Sequence, residues 1–175
     1  MNFSLIIVAA GSGTRLGHDI PKQYIAIGGQ SILQHTLNAF IGVAGLQDIC
    51  IVMNESHENL FYTALPDIPP NICVCHGGDT RQDSVRNGLN ALDPHDDDIV
   101  LIHDAARPFI DRGDIQNLIE AMQSHKAATL AHPVADTLRY VDDHKNAGQA
   151  VSRDNLWAVQ TPQAFRAGML KQAHA

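Results

Sequence analysis

Phe3-Ser4-Leu5-Ile6-Ile7-Val8-Ala9 runs straight into Ala10-Gly11-Ser12-Gly13-Thr14-Arg15-Leu16-Gly17, and the architecture can be read outward from here. A strand with one wet face alternates apolar and polar residues. A nearly continuous apolar run rich in β-branched side chains is instead the pattern of a strand covered on both faces. The glycine-rich segment that ends it is the turn out of that strand. Its glycines let backbone approach a phosphate closely, and consecutive N–H groups there can form an anion nest.

Similar apolar runs recur at 49–53, 72–75, 99–102 and 128–134. Amphipathic segments lie between them. In 31–43, Ile32, Leu33, Thr36, Leu37 and Phe40 form one helical stripe behind a Ser31 N-cap. The segment 80–92 starts with Thr80-Arg81-Gln82-Asp83, a capping box with Asp in place of Glu, and 111–125 carries Ile115, Leu118, Ile119 and Met122. Strand–helix alternation of this kind predicts an α/β fold with a doubly wound, mostly parallel sheet. Open sheets of this type bind ligands beyond the carboxyl ends of their strands. The segment 137–153 reads differently: a short strand, a polar turn at 142–148 and a return through Val151. It is either a surface hairpin or an arm that clasps a second subunit.

The chain has 175 residues, 45% apolar and 18% charged, which suits a single globular domain over 1–175. A chain of this size buries roughly 70% of its unfolded surface and needs no disulfide or structural metal. Twelve Lys+Arg against nineteen Asp+Glu give a formal net charge of −7, which argues against a general nucleic-acid binder. A few local cations still suffice for a small anion. Cys50, Cys73 and Cys75 sit in apolar runs and read as buried, reduced thiols. No signal peptide and no run of ~20 apolar residues is present, so a cytoplasmic location is expected.

The glycine loop is not a dinucleotide fingerprint. The third glycine of that pattern falls on Leu16, Pro21 interrupts the helix that should follow, and no acidic residue ends a second strand at the required offset. A P-loop is absent as well. What sharpens the loop is Arg15 within it and Lys22 in Pro21-Lys22-Gln23-Tyr24. Fixed cations beside a glycine loop suit a nucleoside triphosphate, because phosphoryl transfer spreads charge over oxygens that they stabilise. Gly77-Gly78-Asp79-Thr80-Arg81-Gln82-Asp83-Ser84 again follows a strand and starts a helix. Its backbone and the Ser84 hydroxyl suit a base edge. In His103-Asp104-Ala105-Ala106-Arg107-Pro108, Asp104 suits a divalent metal or a ligand hydroxyl, and Arg107 a phosphate monoester. A plain Asp104–Arg107 ion pair is the structural alternative. Trp157, beside Thr161-Pro162, reads as a core residue next to a turn. No metal-binding histidine pair and no nucleophile elbow is present.

Taken in order, the 9–16 loop, Pro21-Lys22-Gln23-Tyr24, Gly77-Gly78-Asp79, His103-Asp104-Ala105-Ala106-Arg107-Pro108 and Leu156-Trp157 through Thr161-Pro162-Gln163 resemble the 2-C-methyl-D-erythritol 4-phosphate cytidylyltransferase family. The resemblance covers essentially the whole chain. It implies a nucleotidyltransferase fold and transfer of CMP from CTP to methylerythritol phosphate, with pyrophosphate released, in non-mevalonate isoprenoid synthesis. It implies Arg15 and Lys22 as transition-state stabilisers. Ala9, Ala10, Gly11, Ser12, Gly13, Gly77, Gly78, Asp79, Ser84 and Ala105 would hold the nucleotide. Asp104, Arg107 and Thr161 would hold the acceptor, with Thr137 and Arg153 on a hairpin arm that reaches across a homodimer. Magnesium would arrive with the CTP. Two alternatives are a related nucleotidylyltransferase for another phosphorylated acceptor, and a non-catalytic nucleotide-binding or assembly module.

One departure bears on activity. Family chains usually continue through a Thr-Asp-Glu segment and a late Lys-containing strand, whereas this sequence stops at Ala175 inside a helix-like run. The expectation is a domain shortened at its C-terminus, or the front of a polypeptide fused to the cyclodiphosphate synthase. A domain so shortened is expected to bind nucleotide weakly and turn over slowly or not at all.

Overall fold

In a computed structural model, which describes residues 1–12 and 20–174, the opening run is strand β1 (Phe3–Ala9). It lies inside a six-stranded sheet, hydrogen-bonded on one side to β4 (Leu46–Met53) and on the other to β6 (Ile99–Asp104), parallel to both. Its continuous apolar pattern has a direct cause. Leu5 and Ile7 face one core cluster with Leu33, Leu37, Phe61 and Ile115, while Ile6 faces a second with Val85, Leu89 and Leu170. All three β1 side chains are fully buried, each contributing about 1.5–3 kcal/mol from lost water contact.

Helices α1 (Ile32–Phe40), α2 (Glu58–Ala64) and α4 (Arg112–Ala121) supply the first cluster. The second comes from α3 (Arg81–Leu92) and α5 (Ala167–Ala173). Ser31 caps α1 by accepting from the Gln34 N–H at 3.0 Å. Thr80 and Asp83 cap α3 reciprocally in the predicted capping box. Before α1, β2 (Ala26–Ile27) and β3 (Gln30–Ser31) form a small hairpin. Gly28 and Gly29 turn it with φ of 61° and 87°, the left-handed pair that a two-residue hairpin requires.

The large sheet contains β5 (Ile72–His76), β7 (Ala127–Pro133) and β10 (Trp157–Arg166) besides β1, β4 and β6, in the order β5-β4-β1-β6-β10-β7. From β1 the chain steps outward to β4 and β5, then returns to the far side of β1 for β6. The loops after β1 and β6 therefore diverge at a topological switch, the expected place for a crevice. The strand β10 runs antiparallel to both β6 and β7, so the sheet is mostly but not wholly parallel.

Two expectations need correction. Trp157 is not core: it is 55% exposed and begins a ten-residue strand where a turn was expected. Of the cysteines only Cys50 is buried; Cys73 and Cys75 are half-buried, and all three are free thiols. Strands β8 (Arg139–Val141) and β9 (Ala147–Ala150) pair as a separate, exposed ribbon within 137–153. No helix among the described residues is long and apolar enough to cross a membrane.

Candidate active site

The crevice begins where β1 ends, and its first wall is held by two side-chain amides. Gln23 is buried, and its Nε2 donates to the carbonyls of Ala9 at 2.7 Å and Gly11 at 2.8 Å. Asn54, at the end of β4, donates to the Ala10 carbonyl at 3.2 Å. Three consecutive carbonyls are thereby tied, which fixes the backbone of residues 9–11. Proline at position 21 precedes the 3-10 turn Lys22–Tyr24, which turns Gln23 inward and leaves Lys22 exposed at the crevice.

The second wall is the start of α3. The Gly77 N–H donates to the Met53 carbonyl at 2.8 Å, which fastens the glycine pair to the end of β4. The Ser84 hydroxyl donates to the Thr80 carbonyl at 3.0 Å and accepts from the Gly78 N–H at 3.2 Å. With its one proton spent, it meets a ligand only as an acceptor. The Thr80 hydroxyl donates to the Asp83 carboxylate at 2.6 Å and holds that carboxyl below the ordinary carboxylate range.

The third wall is the turn after β6. Asp104 stands at its entrance with an arginine on each oxygen. Arg81, the first residue of α3, donates to Oδ1 through Nε at 3.1 Å and Nη2 at 3.0 Å. Arg107 donates to Oδ2 through Nε at 3.1 Å and also to the Gln160 side chain of β10. Both pairs are substantially exposed, so each is worth about 0–1 kcal/mol to the fold. Their consequence is geometric: two guanidinium groups are held at fixed positions on the rim. A carboxylate claimed on both oxygens by cations is a poor protein ligand for a divalent metal, which narrows the sequence reading of Asp104. Beneath the turn, Thr36 donates to the Ala105 carbonyl at 2.8 Å. His103 is fully buried edge-on to Phe40, with ring centroids 5.0 Å apart, and burial pushes it down to about 4.

The three walls enclose a cleft of about 1060 Å³. It brings together Ala9, Ala10, Gly11, Ser12, Lys22, Gly78, Asp79, Ser84, Asp104, Ala105 and Arg107 of the predicted set. Gly77 lies directly behind Gly78, its Cα hydrogens facing Ala10 and Ser84. A second cavity of about 630 Å³ adjoins the first through Ala106 and Arg107 and reaches Thr161. Thr137 and Arg153 line neither cavity; both are exposed beside the β8–β9 ribbon, with Arg153 donating to the Ala135 carbonyl. Gly13 and Arg15 lie outside the described residues. Sequence reasoning missed Gln23, Asn54, Arg81 and Gln160. Gln23, Arg81 and Gln160 stood inside quoted motifs, and their roles depend on partners distant in the chain.

Comparison with known proteins agrees with this fold. The family model described as 2-C-methyl-D-erythritol 4-phosphate cytidylyltransferase matches residues 3–175. An enzyme of that name from Pelotomaculum thermopropionicum is 38% identical over 172 residues, which are 97% of this chain and 72% of the relative. A "Bifunctional enzyme IspD/IspF" from Paramagnetospirillum magneticum is 43% identical over 97% of this chain and 44% of its own length. The crystal structure of the Francisella tularensis cytidylyltransferase superimposes with a TM-score of 0.84 at 37% identity, covering 99% of this chain and 76% of that one.

Proposed function

The chain belongs to the 2-C-methyl-D-erythritol 4-phosphate cytidylyltransferase family, and from that premise we propose how its residues carry out the transfer of a cytidylyl group from CTP to methylerythritol phosphate. CTP lies in the larger cleft, its triphosphate along the loop after β1 and its base against Gly77, Gly78, Asp79 and Ser84. A phosphate oxygen of the acceptor attacks the α-phosphorus in line. The new O–P bond forms as the bond to the bridging oxygen breaks, and pyrophosphate leaves with that oxygen.

The observation that carries this reading is the convergence of three walls. An exposed cation at Lys22, a tied glycine loop and a helix start face a rim that holds two fixed guanidinium groups. No general base is required. A phosphate monoester has a second pKa near 6 and is already mostly dianionic at neutral pH. The remaining barrier is one of positioning and charge. Lys22, with Arg15, compensates charge that grows on the α-phosphoryl oxygens and the leaving group. Magnesium enters as part of the CTP substrate. Asp104, Arg107 and Thr161 receive the acceptor at the junction of the two cavities.

Two chains form a homodimer in which the 137–153 arm places Thr137 and Arg153 at the partner's acceptor site. Exposed apolar side chains on and beside the arm support this: Tyr140 at 68%, Trp157 at 55% and Val159 at 55% exposure. The test is pyrophosphate release from CTP plus methylerythritol phosphate, with GTP and other sugar phosphates as competitors, and molar mass by light scattering. Selective release with CTP and methylerythritol phosphate is expected. Faster turnover with another nucleotide or acceptor would overturn the assignment.

A further inference from the structure

Arg107 and Thr161 come from different strands, yet one buried ring joins them. The His103 Nε2 lies 3.0 Å from the Arg107 carbonyl oxygen, and the Nδ1 lies 3.0 Å from the Thr161 hydroxyl. A carbonyl only accepts, so Nε2 carries the proton. At neutral pH the ring is neutral, because burial disfavours its charged form. Nδ1 is then a bare lone pair and must accept from Thr161. The single hydroxyl proton of Thr161 therefore points into the protein. One of its lone pairs accepts the Asp104 N–H at 3.3 Å. Toward the second cavity, Thr161 has only a lone pair to offer.

We propose that His103 is a positioning residue that sets the polarity of the acceptor site, so that Thr161 receives a hydrogen bond from a substrate hydroxyl and does not bind a phosphoryl oxygen. A dianionic phosphate has no proton to give and finds only lone-pair repulsion at Thr161. A polyol hydroxyl fits there. The phosphate is left to the cationic side of the rim, at Arg107, whose backbone the same ring fixes through its carbonyl. One imidazole thus orients the acceptor end for end, phosphate toward the arginine and polyol toward the threonine.

The proposal rests on the cytidylyl-transfer reading, and two measurements keep their failures apart. The first needs no turnover. Long-range ¹⁵N–¹H spectra of the wild-type protein without substrate should show the Nε2–H tautomer of His103 at pH 7. The Nδ1–H tautomer would overturn the proposal whatever the enzyme does. The second splits the two bonds. His103→Asn keeps an acceptor near Nδ1 but loses the donor to Arg107. His103→Gln keeps a donor near Nε2 but loses the acceptor for Thr161. In Thr161→Val the hydroxyl is gone with little change in shape.

Thr161→Val and His103→Gln should raise the KM for methylerythritol phosphate about tenfold, the loss of roughly one neutral hydrogen bond. The KM for CTP should stay within about twofold. His103→Asn should resemble wild type in acceptor KM more closely than His103→Gln does. Erythritol 4-phosphate, which lacks the methyl branch, should lose affinity in the same ratio, because the hydroxyl is what Thr161 reads. Equal losses for CTP and acceptor, or an acceptor KM unmoved in Thr161→Val, would overturn the proposal. Absence of turnover in the wild type would instead count against the activity and leave the tautomer result standing.

Discussion

A methyl group added at Gly77 tests the nucleotide site most directly, because Gly77 lies where two walls of the cleft nearly touch. A Cβ there would fall 2.5 Å from the Ala10 Cβ and 2.7 Å from the Ser84 Oγ. Ordinary carbon contacts are about 3.5–4.0 Å. Neither neighbour yields freely. Ala10 is tied by its carbonyl to Asn54, and Ser84 is held by Thr80 and Gly78. Gly77→Ala must therefore part the loop after β1 from the start of α3 by about 1 Å, against a packing strain of about 1–3 kcal/mol. If the gap opens in the nucleotide site, CTP affinity falls by about 5- to 150-fold, at 1.4 kcal/mol per factor of ten. Strain absorbed by the fold would lower Tm by about 2–4 °C per kcal/mol for a chain of this size. Calorimetric CTP titration and a thermal melt separate the two. An unchanged CTP affinity accompanied by a lowered Tm would refute the claim that these walls grip the nucleotide.

Lys22→Ala should cut the rate of pyrophosphate release by about 10²- to 10³-fold, as removal of a charge-stabilising donor does, while the melting temperature stays put; a rate within threefold of wild type would remove Lys22 from the chemistry. Gln23→Leu strands the buried Ala9 carbonyl, at about 1–3 kcal/mol, and leaves the exposed Gly11 carbonyl to water. Both stability and CTP affinity should fall, and a drop in stability alone would show that the loop does not contact the nucleotide. Arg153→Ala should weaken use of the acceptor more than use of CTP in steady-state kinetics, and equal losses would exclude a cross-subunit acceptor contact. The α3 cap should titrate. The Asp83 pKa is lowered in the folded protein, first by the Thr80 hydroxyl, so its stabilising contribution is present above the unfolded value of 3.8 and vanishes as pH falls through the folded one. The melting gap between wild type and Asp83→Ala should be constant from neutral pH down to about 5 and close below about 4; a gap that persists in acid would contradict the assigned cap.

The central strands were legible because burial on both faces writes itself into sequence as an unbroken apolar run, and β1 matches its reading residue for residue. The strand β10 was not legible. It lies toward one side of the sheet, where Trp157 and Val159 are exposed between half-buried Ala158 and Gln160, and Pro162 interrupts the run. Such a strand resembles a loop until its neighbours β6 and β7 are known. The site divides along the same line. Gly77, Gly78, Lys22, Asp104 and Arg107 belong to local strings whose chemistry can be read in isolation. Gln23 matters through the carbonyls of Ala9 and Gly11, and Arg81 through Asp104, 23 residues away in sequence. Neither contact has a local signature: a buried glutamine and a solvated one look alike until the chain closes around them.

A chain of net charge −7 that binds a triphosphate and a phosphate monoester presents an electrostatic puzzle. Screening resolves half of it. At physiological salt the Debye length is about 8 Å, so scattered surface carboxylates act weakly at the cleft while cations in contact act strongly. The other half is Asp104, an acid in the midst of the proposed anion site. Left alone, the guanidinium groups of Arg81 and Arg107 would repel each other and sample many rotamers. Fixing two such chains at the moment of binding costs up to about 2 kcal/mol for each. The carboxylate between them removes that cost in advance, at the expense of cancelling one of the two charges. The trio retains a single net positive charge, but its donors are already in position. On the proposed reading, a smaller charge held still positions the acceptor phosphate for attack better than a larger one that must first be gathered.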